Sequence, residues 1–363
     1  MKNHSTRSRV AGKASLIFSC FLIFVASVAT AQAANSGKKP PMEFALIGDM
    51  PYGPAQDKQF ANVMKAIDAA NLAFVVHVGD FQSDGIIWKQ DSEGFPPCAD
   101  ATFQDRFGLA QKSKHPFIFT PGDNDWTDCY RAKPRTYEPL ERLAKLRQMF
   151  YPDDLSLGQT KLRLSRQSAG PNYAKFRENA QWTYGNVLFV TLHMVGSNNN
   201  FGRTAEMDKE YAERNAANIE WLRQAFEQAK KNGNRALMIL AQANPQFETT
   251  WTPQAQTRYM LGGLGIAPPN EKRSTGFDDF VAALEKETLA YGRPVVYAHG
   301  DTHTFRVDKP LLGSKSGRII DNFTRVETFG APDSHWVRIT IDPADPNVFR
   351  FQPEIIQENR ATH

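Results

Sequence analysis

Four short segments of the 363-residue chain concentrate the side chains that could do chemistry. They read Ile47-Gly48-Asp49-Met50-Pro51-Tyr52-Gly53, Val78-Gly79-Asp80-Phe81-Gln82-Ser83-Asp84, Thr120-Pro121-Gly122-Asp123-Asn124-Asp125 and Ala298-His299-Gly300-Asp301-Thr302-His303. A single Gly-Asp after an apolar run is ordinary turn chemistry, with Asp bonding the backbone and Gly supplying a positive φ. Gathered in one cleft, however, Asp49, Asp80, Asp123 and Asp301 would repel one another, and either retained protons or bound cations must relieve that repulsion. Divalent ions do so directly, with His303 as an added nitrogen ligand.

The elements that must bring these residues together are legible in the periodicity. Apolar runs of strand length at Glu43–Ile47, Ala73–Val78, Phe117–Phe119, Val187–His193, Ala236–Leu240 and Pro294–Ala298 alternate with helical patterns near Asp57–Ala70, Glu138–Phe150, Asp208–Lys231 and Gly276–Ala290. This alternation marks an α/β fold. Loops leaving the C-terminal ends of parallel strands gather at one sheet edge, where ligands bind, so the four acidic loops are expected to meet there. Toward the C-terminus, Arg318–Val326, His335–Ile341 and Val348–Phe351 are β-rich without intervening helix, and antiparallel strands at one side of the sheet are expected. No fixed-period repeat is visible, and residues 42–363 read as a single domain.

In order and strand context these loops resemble the calcineurin-like metallophosphoesterases, a family that includes the purple acid phosphatases. Its loops read Asp-x-His, Gly-Asp-x-x-(Asp/Asn/Tyr), Gly-Asn-His-(Asp/Glu), a lone His after a strand, and Gly-His-x-His. Here Asp49 matches the first Asp with Pro51 at the His position, and Gly79-Asp80 matches the second motif with Asp84 one place late. Gly122-Asp123-Asn124-Asp125 has Asp for Asn and Asn for His, and Gly300-Asp301-Thr302-His303 has Asp for the first His. The fourth motif falls at Leu240-Ala241-Gln242-Ala243-Asn244-Pro245, where Gln242 or Asn244 stands as the oxygen ligand. The resemblance covers roughly residues 43 to 342. It implies a two-sheet αββα sandwich and one or two divalent ions: one on Asp49, Asp80 and His303, the other on Asp80 as bridge, Asp123, Asp301 and Gln242 or Asn244. Replacing nitrogen by oxygen donors favours Mn²⁺, Mg²⁺ or Ca²⁺ over zinc or iron.

The resemblance further implies phosphate mono- or diester hydrolysis on a small phosphorylated substrate. Asn124 takes the place of the family's catalytic His and can donate a hydrogen bond but not a proton. The proton donor is therefore sought in His193, which follows the strand beginning at Val187, or in His299 or Tyr52. His77 and His335 read as structural histidines, and Trp88, Trp126 and Trp182 as packing. Because Pro51 and Asn124 stand where the family has histidines, the competing reading is a catalytically inactive binding or structural protein on the same fold.

Composition bounds the remaining classes. With 41% apolar, 23% charged and 11% aromatic residues, the chain is neither disordered, collagen-like nor a multi-span membrane protein. Lys2, Arg7, Arg9 and Lys13 precede an uncharged run from Ala14 to Ala29, and Ala31-Gln32-Ala33 offers a small-x-small cleavage pattern. Residues 1–33 therefore read as a secretory signal peptide, followed by a flexible lead-in over 34–41. The rest of the chain balances 39 basic against 39 acidic residues, so no nucleic-acid or anionic-membrane partner is implied. Secretion or periplasmic export is expected, with no stable membrane span after cleavage, and an oxidising compartment would pair the two remaining cysteines, Cys98 and Cys129.

Overall fold

Along β1 (Met42–Ile47), Phe44 and Leu46 join one apolar layer while Ala45 and Ile47 join another, and all are fully buried. A strand covered on both faces needs packed layers on either side. The computed structural model supplies them; it describes residues 42–85, 94–250, 275–342 and 344–361. The expected signal peptide, the lead-in and Trp88 lie outside the described residues.

β1 pairs in parallel with β2 (Val75–His77), which pairs in parallel with β3 (Phe117–Phe119). On its other side lie antiparallel β11 (Trp336–Ile341) and then β12 (Phe349–Glu354), giving a five-stranded sheet in the order β12-β11-β1-β2-β3. A second, seven-stranded sheet is built from β4 (Ser165–Arg166), β5 (Ala180–Tyr184), β6 (Val187–Thr191), β7 (Ala236–Leu240), β8 (Val295–His299), β9 (Arg306–Asp308) and β10 (Phe323–Glu327). Its order is β4-β5-β6-β7-β8-β10-β9, with β6, β7, β8 and β10 parallel.

One expectation is corrected here. β11 and β12 are antiparallel strands at one side of the smaller sheet, but β10 is not their neighbour. It lies parallel to β8, with Phe323 opposite Val295, and its antiparallel partner is the short β9. The crossover from β8 to β10 runs through β9 and irregular loops rather than a helix, which is why periodicity hid it.

Helices α1 (Pro54–Ala69), α2 (Asp100–Lys112) and α3 (Pro139–Phe150) cover the outer face of the smaller sheet. Phe60, Val63, Phe103, Leu146 and Phe150 pack there on Ile47, Val75 and Phe117. Helices α4 (Ala205–Asn232) and α5 (Asp278–Tyr291) cover the larger sheet through Trp221, Leu222, Phe226, Phe280 and Leu284. Between the sheets, Phe44, Leu46, Phe74 and Val76 meet Phe189, Met238, Leu240 and Val296, with the Phe44 and Phe189 rings edge to face at 5.4 Å. The result is a four-layer αββα sandwich.

Local signals set the helix ends. Pro54 opens α1, the Glu138 carboxylate caps α3, the Thr204 hydroxyl caps α4 through Met207 N–H at 3.2 Å, and Gly233 ends α4 at φ 69°. Helix α2 was not expected, because the buried Arg106 interrupts its apolar stripe of Phe103 and Ala110. Cys98 and Cys129 form a disulfide with Cα atoms 5.8 Å apart. Trp126 and Trp182 are buried as packing residues. No helix among the described residues is long and apolar enough to cross a membrane.

Candidate active site

Because β1, β2 and β3 are parallel neighbours, the loops at their C-terminal ends present Asp49, Asp80 and Asp123 together from the smaller sheet. Strands β7 and β8 deliver Gln242 and Asp301 from the larger one. The two contributions are bonded to each other. Asp301 N–H donates to Asp49 Oδ1 at 3.1 Å, and the two hydrogens of Gln242 Nε2 are shared among Asp80 Oδ2 at 3.3 Å, Asp123 Oδ1 at 3.2 Å and Asp301 Oδ1 at 3.4 Å. Asp49, Asp80, Asp301 and His303 all have left-handed backbones, with φ of 52°, 58°, 51° and 64°. Such conformations cost free energy in non-glycine residues and persist where surrounding structure holds them.

The electrostatics follow from this crowding. Burial pushes Asp80 well above the usual carboxylate range, and Asp123, Asp125, Asp49 and Asp301 push it further. Asp301 is raised in the same way, by burial and then by Asp123. Burial raises Asp49 as well, against the opposing pull of His303. For His303, burial works against the charge, but the Asp49 carboxylate outweighs it and lifts the imidazole to about 9.

By chemistry, oxygen donors with one imidazole suit a hard cation. Asp49 Oδ2 is buried without a hydrogen-bond partner among the described residues. His303 Nδ1 donates to the Ala331 carbonyl at 2.7 Å, which fixes the ring and turns Nε2 toward Asp49 Oδ1 at 3.4 Å and Tyr52 Oη at 3.1 Å. A ring nitrogen held by a carbonyl while the other faces carboxylates is the usual preparation of a metal-binding imidazole. Among the described residues, no group of three or more His, Cys, Asp or Glu side chains is placed to hold a metal ion by itself; the carboxylates converge instead on the Gln242 amide and the Tyr52 hydroxyl.

The two expected oxygen ligands both have other partners for their amide oxygens. Gln242 Oε1 accepts from Gly196 N–H at 2.6 Å. A backbone N–H can only donate, so the amide oxygen must face it and the NH₂ must face the carboxylates. Asn244 Oδ1 accepts from Gln246 N–H at 3.0 Å, and its main-chain N–H donates to Asp301 Oδ2 at 2.7 Å. Each amide oxygen is thus engaged by a backbone N–H.

The three proton-donor candidates separate clearly. His193 is wholly buried, with Nδ1 on Glu178 Oε1 at 2.7 Å and its carbonyl accepting from Arg214 and Asn218. Burial lowers its pKa to about 4 despite the neighbouring carboxylate, so at neutral pH its ring lacks the second proton that a catalytic acid would give up. His299 is also wholly buried, and burial lowers it well below its ordinary value. Tyr52 alone reaches the acidic cluster: its hydroxyl donates to Asp80 Oδ2 at 3.0 Å and accepts from Asn124 Nδ2 at 3.2 Å. Asn124 N–H also donates to Asp80 Oδ1 at 3.0 Å. His77 and His335 are structural, the first bridging Met50 O and Gly79 N–H, the second accepting from Ile356 N–H.

Asp125 is a contributor that sequence reasoning left without a role. Buried completely, it accepts from the backbone N–H groups of Asp80 at 2.9 Å, Phe81 at 2.9 Å and Gly122 at 2.7 Å, tying the second acidic loop to the third. Its two-residue spacing from Asp123 was the available signal. A second such feature is the run Ser197–Asn200, four consecutive left-handed residues with φ from 46° to 66°. Arg214 of α4 holds it through Asn199 Oδ1 and Asn199 O, and the preceding Gly196 packs directly on the acid cluster: a side chain there would begin 2.6 Å from both Asp123 Oδ2 and Asp301 Oδ1.

Residues 42–305 match the calcineurin-like phosphoesterase family. Among solved structures, the chain is similar to one described as the structure of PhoD, with 15% identity and a TM-score of 0.51, over 84% of this chain and 65% of that one. It also matches a 5'-nucleotidase from Candida albicans SC5314, with 9% identity and a TM-score of 0.37, over 87% of this chain and 52% of that one. The chain thus spans less than two thirds of the length of either. At this identity the likeness to PhoD is one of fold. No curated protein matches.

Proposed function

The chain belongs to the calcineurin-like phosphoesterase family, and from that premise we propose that it is an exported, metal-dependent hydrolase of small phosphate mono- or diesters. The observation that carries this reading is the convergence of Asp49, Asp80, Asp123 and Asp301 from two sheets, with Asp80 raised by burial and then by its acidic neighbours. Asp49, Asp80 and His303 would hold one divalent ion, with Mn²⁺, Mg²⁺ or Ca²⁺ suited to these donors; Asp123 and Asp301 are the remaining anionic donors. When bound, such ions polarise a phosphoryl oxygen and supply an activated water as nucleophile.

The chain's own side chains do the rest. Tyr52 is held un-ionised by burial and by Asp80, so its Oη keeps a proton to deliver to the departing oxygen. Asn124, where the family has its catalytic His, orients that hydroxyl through Nδ2. Asp125 keeps the second and third loops in register through its three backbone bonds. For export, the support is the leader-like composition of residues 1–33 together with the Cys98–Cys129 disulfide, a bond that persists in oxidising compartments. Residues 42–363 are proposed as a single domain.

The test is hydrolysis of p-nitrophenyl phosphate and bis(p-nitrophenyl) phosphate by chelator-treated protein to which Mn²⁺, Mg²⁺, Ca²⁺ or Zn²⁺ is returned. Metal-restored turnover that Asp80→Asn abolishes and His335→Ala leaves intact supports the reading. Turnover indifferent to chelation refutes metal dependence, and stoichiometric metal binding without turnover points to a binding protein on this fold.

A further inference from the structure

Gln242 stands among three carboxylates with the wrong end toward them for a metal ligand. Its Nε2 lies 3.2 Å from Asp123 Oδ1, 3.3 Å from Asp80 Oδ2 and 3.4 Å from Asp301 Oδ1, while its Oε1 is bound at 2.6 Å to Gly196 N–H. Turning the amide over would set its NH₂ against that N–H and leave a buried donor unpaired, which costs about 1–3 kcal/mol. The side chain is completely buried, and the carbonyl of the same residue accepts from Gly300 N–H at 3.2 Å. Both its backbone and its side chain are therefore fixed.

An amide NH₂ presents the positive end of its dipole. Aimed at Asp80, Asp123 and Asp301, it supplies part of the favourable field that a cation on that side would supply, and it opposes the cation itself. Asp49 Oδ2, by contrast, is buried with no hydrogen-bond partner among the described residues, and His303 Nε2 lies 3.4 Å from the same residue's Oδ1.

We propose that Gln242 is a built-in replacement for one of two cations, so that this centre takes up a single divalent ion, on the Asp49, Asp80 and His303 side. The inference rests on the metal-dependent reading above. It assigns Gln242 as a positioning residue that acts through Asp80, Asp123 and Asp301 and sets the ion count.

The full chain, freed of metal by chelation and dialysed against Mn²⁺, would be compared with Gln242→Glu and Gln242→His by native mass spectrometry and Mn²⁺ electron paramagnetic resonance. Glu keeps an acceptor for Gly196 N–H but has no N–H to offer the carboxylates; His restores a nitrogen lone pair. The expected result is one ion per wild-type chain with the spectrum of an isolated Mn²⁺, and a second, exchange-coupled ion in Gln242→Glu. Two ions in the wild type would overturn the inference, as would a single ion in a folded Gln242→Glu. A wild-type chain that takes up no Mn²⁺ would instead overturn the metal-dependent reading. Should Gln242→His fail to fold, the wild-type count and Gln242→Glu decide the matter alone.

Discussion

The Tyr52 hydroxyl donates to Asp80 Oδ2 across 3.0 Å, placing a phenol held in its neutral form against the most crowded carboxylate of the cluster. Tyr52→Phe removes the proton together with the hydroxyl's contacts to Asn124 Nδ2 and His303 Nε2. We expect turnover to fall by about 10²-fold or more, the range for loss of a general acid, while Mn²⁺ uptake stays at the wild-type count. Equal loss of metal and turnover would make Tyr52 part of the ion's support instead of the proton donor.

Gly300 tests how closely the two sheets approach at the centre. A Cβ there would lie 1.6 Å from Asp49 Oδ2. Gly300→Ala must therefore displace Asp49 and is expected to weaken Mn²⁺ binding by about 10- to 100-fold, as disturbed ligand support does. Gly108→Ala, on α2 with open space around its Cβ position, should bind Mn²⁺ normally and gain about 0.5–1 kcal/mol. Titration with Mn²⁺ and chemical denaturation read both variants.

His77 predicts a pH dependence of stability. Its Nε2–H donates to Met50 O at 2.8 Å and its Nδ1 accepts from Gly79 N–H at 3.1 Å, so a second proton has no acceptor. Burial lowers its pKa from 6.5 to about 4. The unfolded chain therefore binds a proton that the folded one refuses: the stabilisation is fully present above pH 6.5 and is lost as pH falls toward 4, by about 3 kcal/mol. Denaturation midpoints across that interval should fall more steeply for wild type than for His77→Gln, and parallel curves would rule out His77 as the source.

The Cys98–Cys129 bridge closes a loop with a sequence separation of 31, for which chain entropy gives about 3–4 kcal/mol. Both sulfurs lie against the Asn124 carbonyl, at 3.8 and 3.7 Å. Reduction, or paired Cys98→Ser and Cys129→Ser changes, should therefore lower the melting temperature and also slow turnover by loosening the loop that carries Asp123 and Asn124. A lowered melting temperature with unchanged turnover would confine the bridge to stability.

The acidic residues were legible because Gly-Asp at the end of an apolar run needs no partner to be noticed. Strand order brings Asp49, Asp80 and Asp123 together, and the packing of the second sheet adds Asp301. The roles around them were not legible, because each depends on a distant backbone group. Gln242 reads as an oxygen donor until Gly196 N–H claims the oxygen, and His193 reads as a proton donor until Glu178 and Arg214 enclose it. Strand β5 was missed for a local reason: Gln181 and Thr183 dilute its apolar signal, and only its pairing with β6 makes it a strand.

Asp49, Asp80 and Asp123 hang from one sheet, Asp301 and Gln242 from the other. The gap between these two jaws is set less by any loop than by the thickness of the apolar filling in which Phe44, Phe74 and Phe189 meet. That filling works as a gauge block. Shaving it, as Phe189→Ala would, leaves each jaw intact but lets them slide out of true, so that a change remote from every charged group is felt first as misalignment of the bite.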